Sequence, residues 1–412
     1  MRKPTLPFWT LLKLGLLILL FSLACPPLLQ AASEAGSAVL NPNYQRLKKV
    51  YDYYQSIQYK PWPEITQLNL KRGMVAPEIA LLRERLVLTG DLPNQHTDSN
   101  EHFDAVLEQA VRGFQWRHGL NPDGIVGAKT LNELNVKPIQ RAEQIRLNME
   151  HWAALPASLG KRFIFINIPE YRFDLVDNGQ IVLTMKVIVG RPDRPTPEFS
   201  SAIDLVELNP YWNVPPLIAE KDVLPKILKN PHYLDEMNIK VIQRKGSQVI
   251  PIDKSTINWE EVAANGLNYD FRQEPGKNNA LGFVKFDFPN SYDVYMHDTP
   301  AKELFNLDKR DFSSGCIRLE KPFALLSYLL QNDPSWDVHQ VAEALASGKL
   351  AYIKVSRPIP LYVIYATAWV DRNGILHFLR DPYGYNEEPD PEEFAPQAKI
   401  DAELTMPLSF YA

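Results

Sequence analysis

The 412-residue chain has only two cysteines, Cys25 and Cys316. Cys25 lies in a segment with the features of an export signal. Its removal leaves Cys316 without a partner, so no disulfide framework is expected. The eight histidines are scattered and no His-Glu-x-x-His motif occurs. Metal-assisted hydrolysis is therefore not indicated, and neither a metal nor a cofactor is assigned. Outside the extreme N-terminus there is no long basic run, the net charge is -5 and the pI is about 6.0. Nucleic acid is an unlikely class of partner on that balance. The apolar stretch Leu14 to Ala24 falls short of the roughly 20 residues that a spanning helix needs.

What is present points outward from the cytoplasm. Met1-Arg2-Lys3 supplies a positive start, the apolar stretch follows, and small residues offer cleavage points after Ser22-Leu23-Ala24 or near Ala31-Ala32. A signal peptide over 1–32 and a periplasmic location are expected. Lipidation at Cys25 and an uncleaved inner-membrane anchor are the alternatives. A lone thiol in an oxidising compartment is a liability, which makes Cys316 the first candidate for chemistry. The hydrophobic fraction of 45% is ample for folded cores. The 34 prolines gather in connections such as Pro192 to Pro197, Pro215-Pro216 and Pro358 to Pro360, which implies stiff, shaped loops.

Periodicity divides the chain. Tyr44, Leu47, Val50, Tyr51, Tyr54 and Ile57 share a helical face, and Pro61-Trp62-Pro63 ends it. This predicts a helical scaffold over 41–75. Ile79, Leu82 and Leu86, then Val106, Ala110, Val111 and Phe114, then Thr130, Leu131 and Leu134 predict a three-helix unit over 76–137. A connecting helix within 138–159 carries Ile139, Ala142, Ile145, Met149 and Trp152. From there the pattern alternates. Strands are predicted over 163–168, around the Asp177-Asn178-Gly179 turn, over Ile203 to Leu208, Phe283 to Phe288 and Tyr292 to His297, and again after Tyr352. The predicted fold class is α+β and multidomain, with a mainly β domain over 160–385 and a tail over 386–412. Residues 216–281 interrupt the strand pattern with polar, helical sequence, read as a mobile lid inserted into the β domain.

The chemistry-bearing residues cluster in two stretches, Tyr295-Met296-His297-Asp298 and Ser313-Ser314-Gly315-Cys316-Ile317-Arg318. A free thiol is only slightly ionised at neutral pH, and an imidazole that removes its proton makes it a nucleophile. His297 precedes Cys316 by 19 residues, a spacing that suits a strand end and a returning loop. Gly315 permits close backbone approach, and the amides of Gly315 and Cys316 are candidate oxyanion donors. Arg318 offers a fixed charge to a substrate carboxylate. Tyr295, two residues before His297, either walls the pocket or packs in the core. The alternative is an inert buried cysteine near an unrelated histidine. His-before-Cys order sets the chain apart from papain-like peptidases.

Two resemblances follow. Ala110-Val111-Arg112-Gly113-Phe114-Gln115, His118-Gly119-Leu120 and Asp123-Gly124-Ile125-Val126-Gly127 resemble the three-helix peptidoglycan-binding domain, kept either for binding or as scaffold. His297 with Ser313 to Arg318, Val189-Gly190-Arg191, Thr196-Pro197, Asn209 to Pro215 and Pro275 to Gly282 resemble the L,D-transpeptidase (YkuD-type) catalytic domain. Ser314 stands where many members have a second histidine, a trait of the large Gram-negative members. The resemblance implies Cys316 as nucleophile, His297 as general acid/base and the Gly315 backbone in the oxyanion hole. It also places Arg318, Ser314, Tyr295 and Trp212 at the substrate. The implied donor is a tetrapeptide stem and the implied acceptor a diaminopimelate amine, giving 3→3 cross-links. Lipoprotein anchoring and L,D-carboxypeptidase hydrolysis use the same thioester, and carbapenems acylate the same sulfur. A wall-binding protein without catalysis is the reading from another class.

Overall fold

The computed structural model describes residues 41–94, 100–245, 248–331 and 333–386. The expected export segment, Cys25 and all but the first residue of the tail lie outside these. Helix α1 (Pro42–Ile57) begins with proline, and the Asn41 side chain accepts from the Asn43 amide at 2.9 Å. Helices α2 (Pro77–Leu88), α3 (Ala105–Arg117) and α4 (Ala128–Asn135) enclose Ile79, Leu82, Leu86, Leu107, Val111, Phe114 and Leu134. Ile65 and Leu70 pack into this same core, and Leu70 bridges to Val126. The segment 61–75, expected with the scaffold, thus belongs to the three-helix unit, because the prolines that end α1 release the chain to cover the next core.

Helix α5 (Pro138–Ala153) packs along α1, and both bury apolar residues against a C-terminal hairpin bearing Ala368, Val370 and Phe378. The two ends of the described chain therefore share one core. Asn148 ties α5 to this hairpin by accepting from the amides of Thr367 (2.8 Å) and Ala368 (3.0 Å).

The β domain is a closed sheet. Its strands are β1 (Arg162–Asn167), β2 (Arg172–Asp177), β3 (Gln180–Gly190) and β4 (Phe199–Leu208), then, beyond an insertion containing β5 (Trp212–Asn213), β6 (Ile239–Lys245), β7 (Gln248–Pro251) and β8 (Asp270–Gln273), β9 (Val284–Asp287), β10 (Met296–His297), β11 (Asp311–Ser313), β12 (Ile317–Leu319) and β13 (Ala351–Ile364). The order is β11-β3-β12-β10-β9-β4-β13-β1-β2, and β2 pairs back onto β3 through the hairpin. Asn178 (φ 49°) and Gly179 (φ 77°) give that hairpin the left-handed turn that matches strand twist. Val187, Val189, Val206, Leu208, Val284, Phe286, Met296, Ile317 and Leu319 point inward with the buried faces of β1, β2 and β13. Their alternating neighbours face outward.

Two expectations are corrected. The insertion is not simply helical and polar. It has helical segments Pro216–Ile218, Ala219–Val223 and Leu224–Lys229 end to end, but also its own four-stranded sheet, β5-β8-β6-β7. Val214, Val223, Ile227, Leu234, Ile239, Val241 and Phe271 form its core. It is a folded subdomain, because short β-branched runs such as Ile239-Lys240-Val241-Ile242 pair across it. The strand predicted over Tyr292 to His297 shrinks to Met296–His297. Asn290 accepts from the amides of Tyr292 and Val294, and Asp293 has φ 54°, so a turn replaces the first half. Among the described residues no helix is long and apolar enough to cross a membrane.

Candidate active site

β10 runs parallel to β12, with Met296 opposite Ile317 and His297 opposite Arg318. The Ile317 amide donates to the Tyr295 carbonyl at 3.1 Å. Since Met296 and Ile317 point into the core, alternation puts Tyr295, His297, Cys316 and Arg318 together on the outer face. On the next strand Lys285 is opposite His297, and its ammonium lies 4.7 Å from the Tyr295 ring centre. Lys285 is paired with Glu207 (2.9 Å) and Asp287 (2.6 Å).

His297 is buried, and its Nδ1 lies 2.5 Å from the Asp298 carbonyl. A carbonyl only accepts, so Nδ1 carries the proton and Nε2 presents a lone pair. Asp298 is itself fixed: its carboxylate accepts from the Phe283 amide (3.0 Å) and from Lys302 (2.6 Å). Gly282 makes room for it, because a Cβ there would sit 2.3 Å from Asp298 Oδ2. Burial, followed by the positive charge of Arg318, pushes the imidazole down to about 3.

Cys316 is half-buried and unpaired. Burial pushes its thiol up, against the pull of hydrogen bonds from Tyr295 and the charges of Lys285 and Arg318. With one pKa raised and the other lowered, the resting pair at neutral pH is a thiol and a neutral imidazole, not an ion pair. The Tyr295 phenol is held well above its usual range, first by burial and then by the adjacent Cys316 sulfur, while a Trp212 hydrogen bond acts the other way. Trp212, from the first strand of the insertion, thus reaches Tyr295, and Tyr295 reaches the sulfur. The buried Nε of Arg318 has no hydrogen-bond partner in the structure.

Two expected contributors stand differently. The Gly315 amide donates to Ser313 Oγ at 3.2 Å, and Ser313 Oγ donates to the Cys316 carbonyl at 2.5 Å. The oxyanion donor expected at Gly315 is therefore engaged in its own turn, which leaves the Cys316 amide for that role. Ser314 Oγ accepts from Arg194 at 3.1 Å, and Arg194 is paired with Asp222 of the insertion. Its nearest partner is thus protein. Arg194 and Asp222 escaped sequence reading because they act through partners far away in the chain. Among the described residues no three His, Cys, Asp or Glu side chains gather as a metal site.

Residues 161–339 match the family described as "L,D-transpeptidase catalytic domain" (YkuD), and residues 76–134 match "Putative peptidoglycan binding domain". A curated Haemophilus influenzae protein, "Putative L,D-transpeptidase", is 37% identical over 225 residues, 55% of this chain. The match spans 45% of that relative's length. Among solved structures, an L,D-transpeptidase from Xylanimonas cellulosilytica aligns at 14% identity over 73% of this chain and 100% of its own, with a TM-score of 0.22. One from Mycobacterium smegmatis aligns at 13% identity over 49% of this chain and 58% of its own, with a TM-score of 0.24.

Proposed function

We propose that this chain, whose residues 161–339 match the L,D-transpeptidase catalytic domain, forms 3→3 peptidoglycan cross-links through a thioester at Cys316. The observation that carries this reading is the placement of Cys316, His297, Tyr295 and Arg318 on one face, with His297 Nδ1 anchored and Nε2 free. Cys316 Sγ attacks the carbonyl carbon between stem positions three and four as its proton passes to Nε2. Burial raises the thiol and lowers the imidazole, which favours passage of the proton as the sulfur attacks. The Cys316 amide receives the developing oxyanion, a contribution worth roughly 3–4 kcal/mol. Collapse breaks the C–N bond, and Nε2 returns the proton to the departing D-alanine amine. A side-chain amine of a second stem then attacks the thioester, gives its proton to Nε2 and expels the thiolate, which recovers that proton.

The Arg318 guanidinium binds a stem carboxylate in this scheme, and Trp212 and Tyr295 wall the donor groove. The match over 76–134 supports peptidoglycan as the substrate, and we place the reaction in the periplasm. The insertion touches the site through Trp212 and Asp222, and we infer that it lowers the access of water to the thioester. Incubation with purified disaccharide tetrapeptide, read by mass spectrometry, tests the proposal. Loss of D-alanine with cross-linked dimer exceeding tripeptide is the expected outcome. Tripeptide alone would make the enzyme a carboxypeptidase, and unchanged substrate would remove the catalytic reading.

A further inference from the structure

We propose that Thr196 is a positioning residue that aims the oxyanion donor, the amide of Cys316. This rests on the thioester reading above and extends it to a residue 119 positions before Gly315 in the chain. The Cys316 N–H and the Gly315 C=O belong to the same peptide plane. A planar trans peptide holds them on opposite sides, so fixing the direction of the oxygen fixes that of the N–H. Thr196 fixes the oxygen. Its hydroxyl is buried, accepts from the Gly190 amide at 2.8 Å and donates to the Gly315 carbonyl at 2.8 Å. A hydroxyl has one hydrogen to give. With the Gly190 N–H directed at its oxygen, that hydrogen goes to Gly315. A carbonyl that accepts a hydrogen bond also polarises its peptide and strengthens the N–H on the far side.

The anchor is needed because Gly315 has φ 110°, a conformation that few contacts outside this turn would stabilise. It is also rigid. Loop 190–196 folds so tightly that a Cβ on Gly190 would lie 2.3 Å from the Arg194 carbonyl oxygen and 2.6 Å from the Thr196 nitrogen. The Tyr383 hydroxyl clamps the loop, accepting from the Thr196 amide at 3.2 Å and donating to the Gly190 carbonyl at 2.8 Å. Tyr383 is held in turn: its amide donates to the Tyr365 hydroxyl at 2.9 Å, the two rings stack with centres 5.2 Å apart, and the Tyr365 hydroxyl donates to Asp381. A continuous set of hydrogen bonds runs from the segment after the C-terminal hairpin, through Tyr383 and Thr196, to the peptide of the nucleophile. Ser313 fixes the other side of that residue through the Cys316 carbonyl.

The test separates an oxyanion effect from a thiol effect. Imipenem acylates the sulfur through a tetrahedral oxyanion, whereas iodoacetamide alkylates it by displacing iodide from a saturated carbon and forms none. Wild type, Thr196→Val, Thr196→Ser and Tyr383→Phe are compared for imipenem acylation at neutral pH and for iodoacetamide labelling at one alkaline pH, which favours the thiolate. Thr196→Val is expected to acylate about 10- to 100-fold more slowly while its alkylation stays within about twofold of wild type. Thr196→Ser restores acylation, and Tyr383→Phe shows a smaller loss with the same split. Wild-type acylation by Thr196→Val overturns the assignment. So does an equal fall in both reactions that Tyr383→Phe repeats, since that places the effect on the sulfur or the fold. Failure of wild type itself to acylate would instead remove the thioester reading on which the assignment rests.

Discussion

Replacing His297 with alanine is expected to lower imipenem acylation of Cys316 at neutral pH by about a thousandfold, within the range that a positioned general base contributes. The size follows from the resting state. Burial holds the sulfur as a thiol and the imidazole neutral, so removing Nε2 removes the base that takes the proton as the sulfur attacks. The deficit should shrink as the pH climbs through the raised pKa of the thiol and thiolate forms unaided. Wild type should show no acidic limb near pH 6.5, because the imidazole binds a proton only at about 3. Rates measured by intact mass between about pH 5 and pH 9 decide this. A wild-type profile that falls with a midpoint near 6.5, or a variant as fast as wild type at neutral pH, would contradict the assignment.

The same buried imidazole makes the folded protein sensitive to acid. An unfolded histidine titrates near 6.5, and His297 in the fold titrates at about 3. The folded pKa is depressed, so the unfolded chain binds the proton first as the pH falls. Stability present above about pH 6.5 is therefore lost progressively down to about 3, where the loss is complete. At about 1.4 kcal/mol per pH unit the loss from this one group is roughly 4–5 kcal/mol. That is a large part of the 5–15 kcal/mol typical of a folded protein. His118, buried in the three-helix unit and also held well below its usual range, adds its own contribution, so the comparison is made by difference. In urea unfolding between about pH 6.5 and pH 4, His297→Gln should lose less stability per pH unit than wild type by about 1.4 kcal/mol. Parallel curves would show that the imidazole is not desolvated as the fold implies.

The proposed catalytic pair stood out in the sequence because the chemistry needs a thiol and an imidazole, and the sequence offers only one cysteine beyond the expected export segment. Alternation also placed Tyr295 beside His297, and the structure puts their ring centres 5.7 Å apart. Trp212 was legible only through the family resemblance, since its contact with Tyr295 spans the whole insertion. The strands of the insertion were obscured by their brevity. Gln248–Pro251 and Asp270–Gln273 are four residues each, too short for a period to declare itself beside polar helices. Gly315 pointed to a close turn, but not to Ser313 as the partner of its amide, because a serine two residues away is equally at home exposed. Thr196 stood out only as part of a family-like stretch, with no role attached. Its meaning depends on β3 and β11 running side by side, with Ser313 opposite Gly190.

The central claim is that one sulfur carries the acyl group. Intact-mass measurement of wild type and Cys316→Ala after exposure to imipenem tests it most directly. Wild type should gain the mass of one drug molecule, since opening the β-lactam ring releases nothing, and digestion should place that mass on the peptide containing Cys316. Cys316→Ala should gain none. An equal gain in the alanine variant, or an adduct mapped to any other residue, would contradict the account.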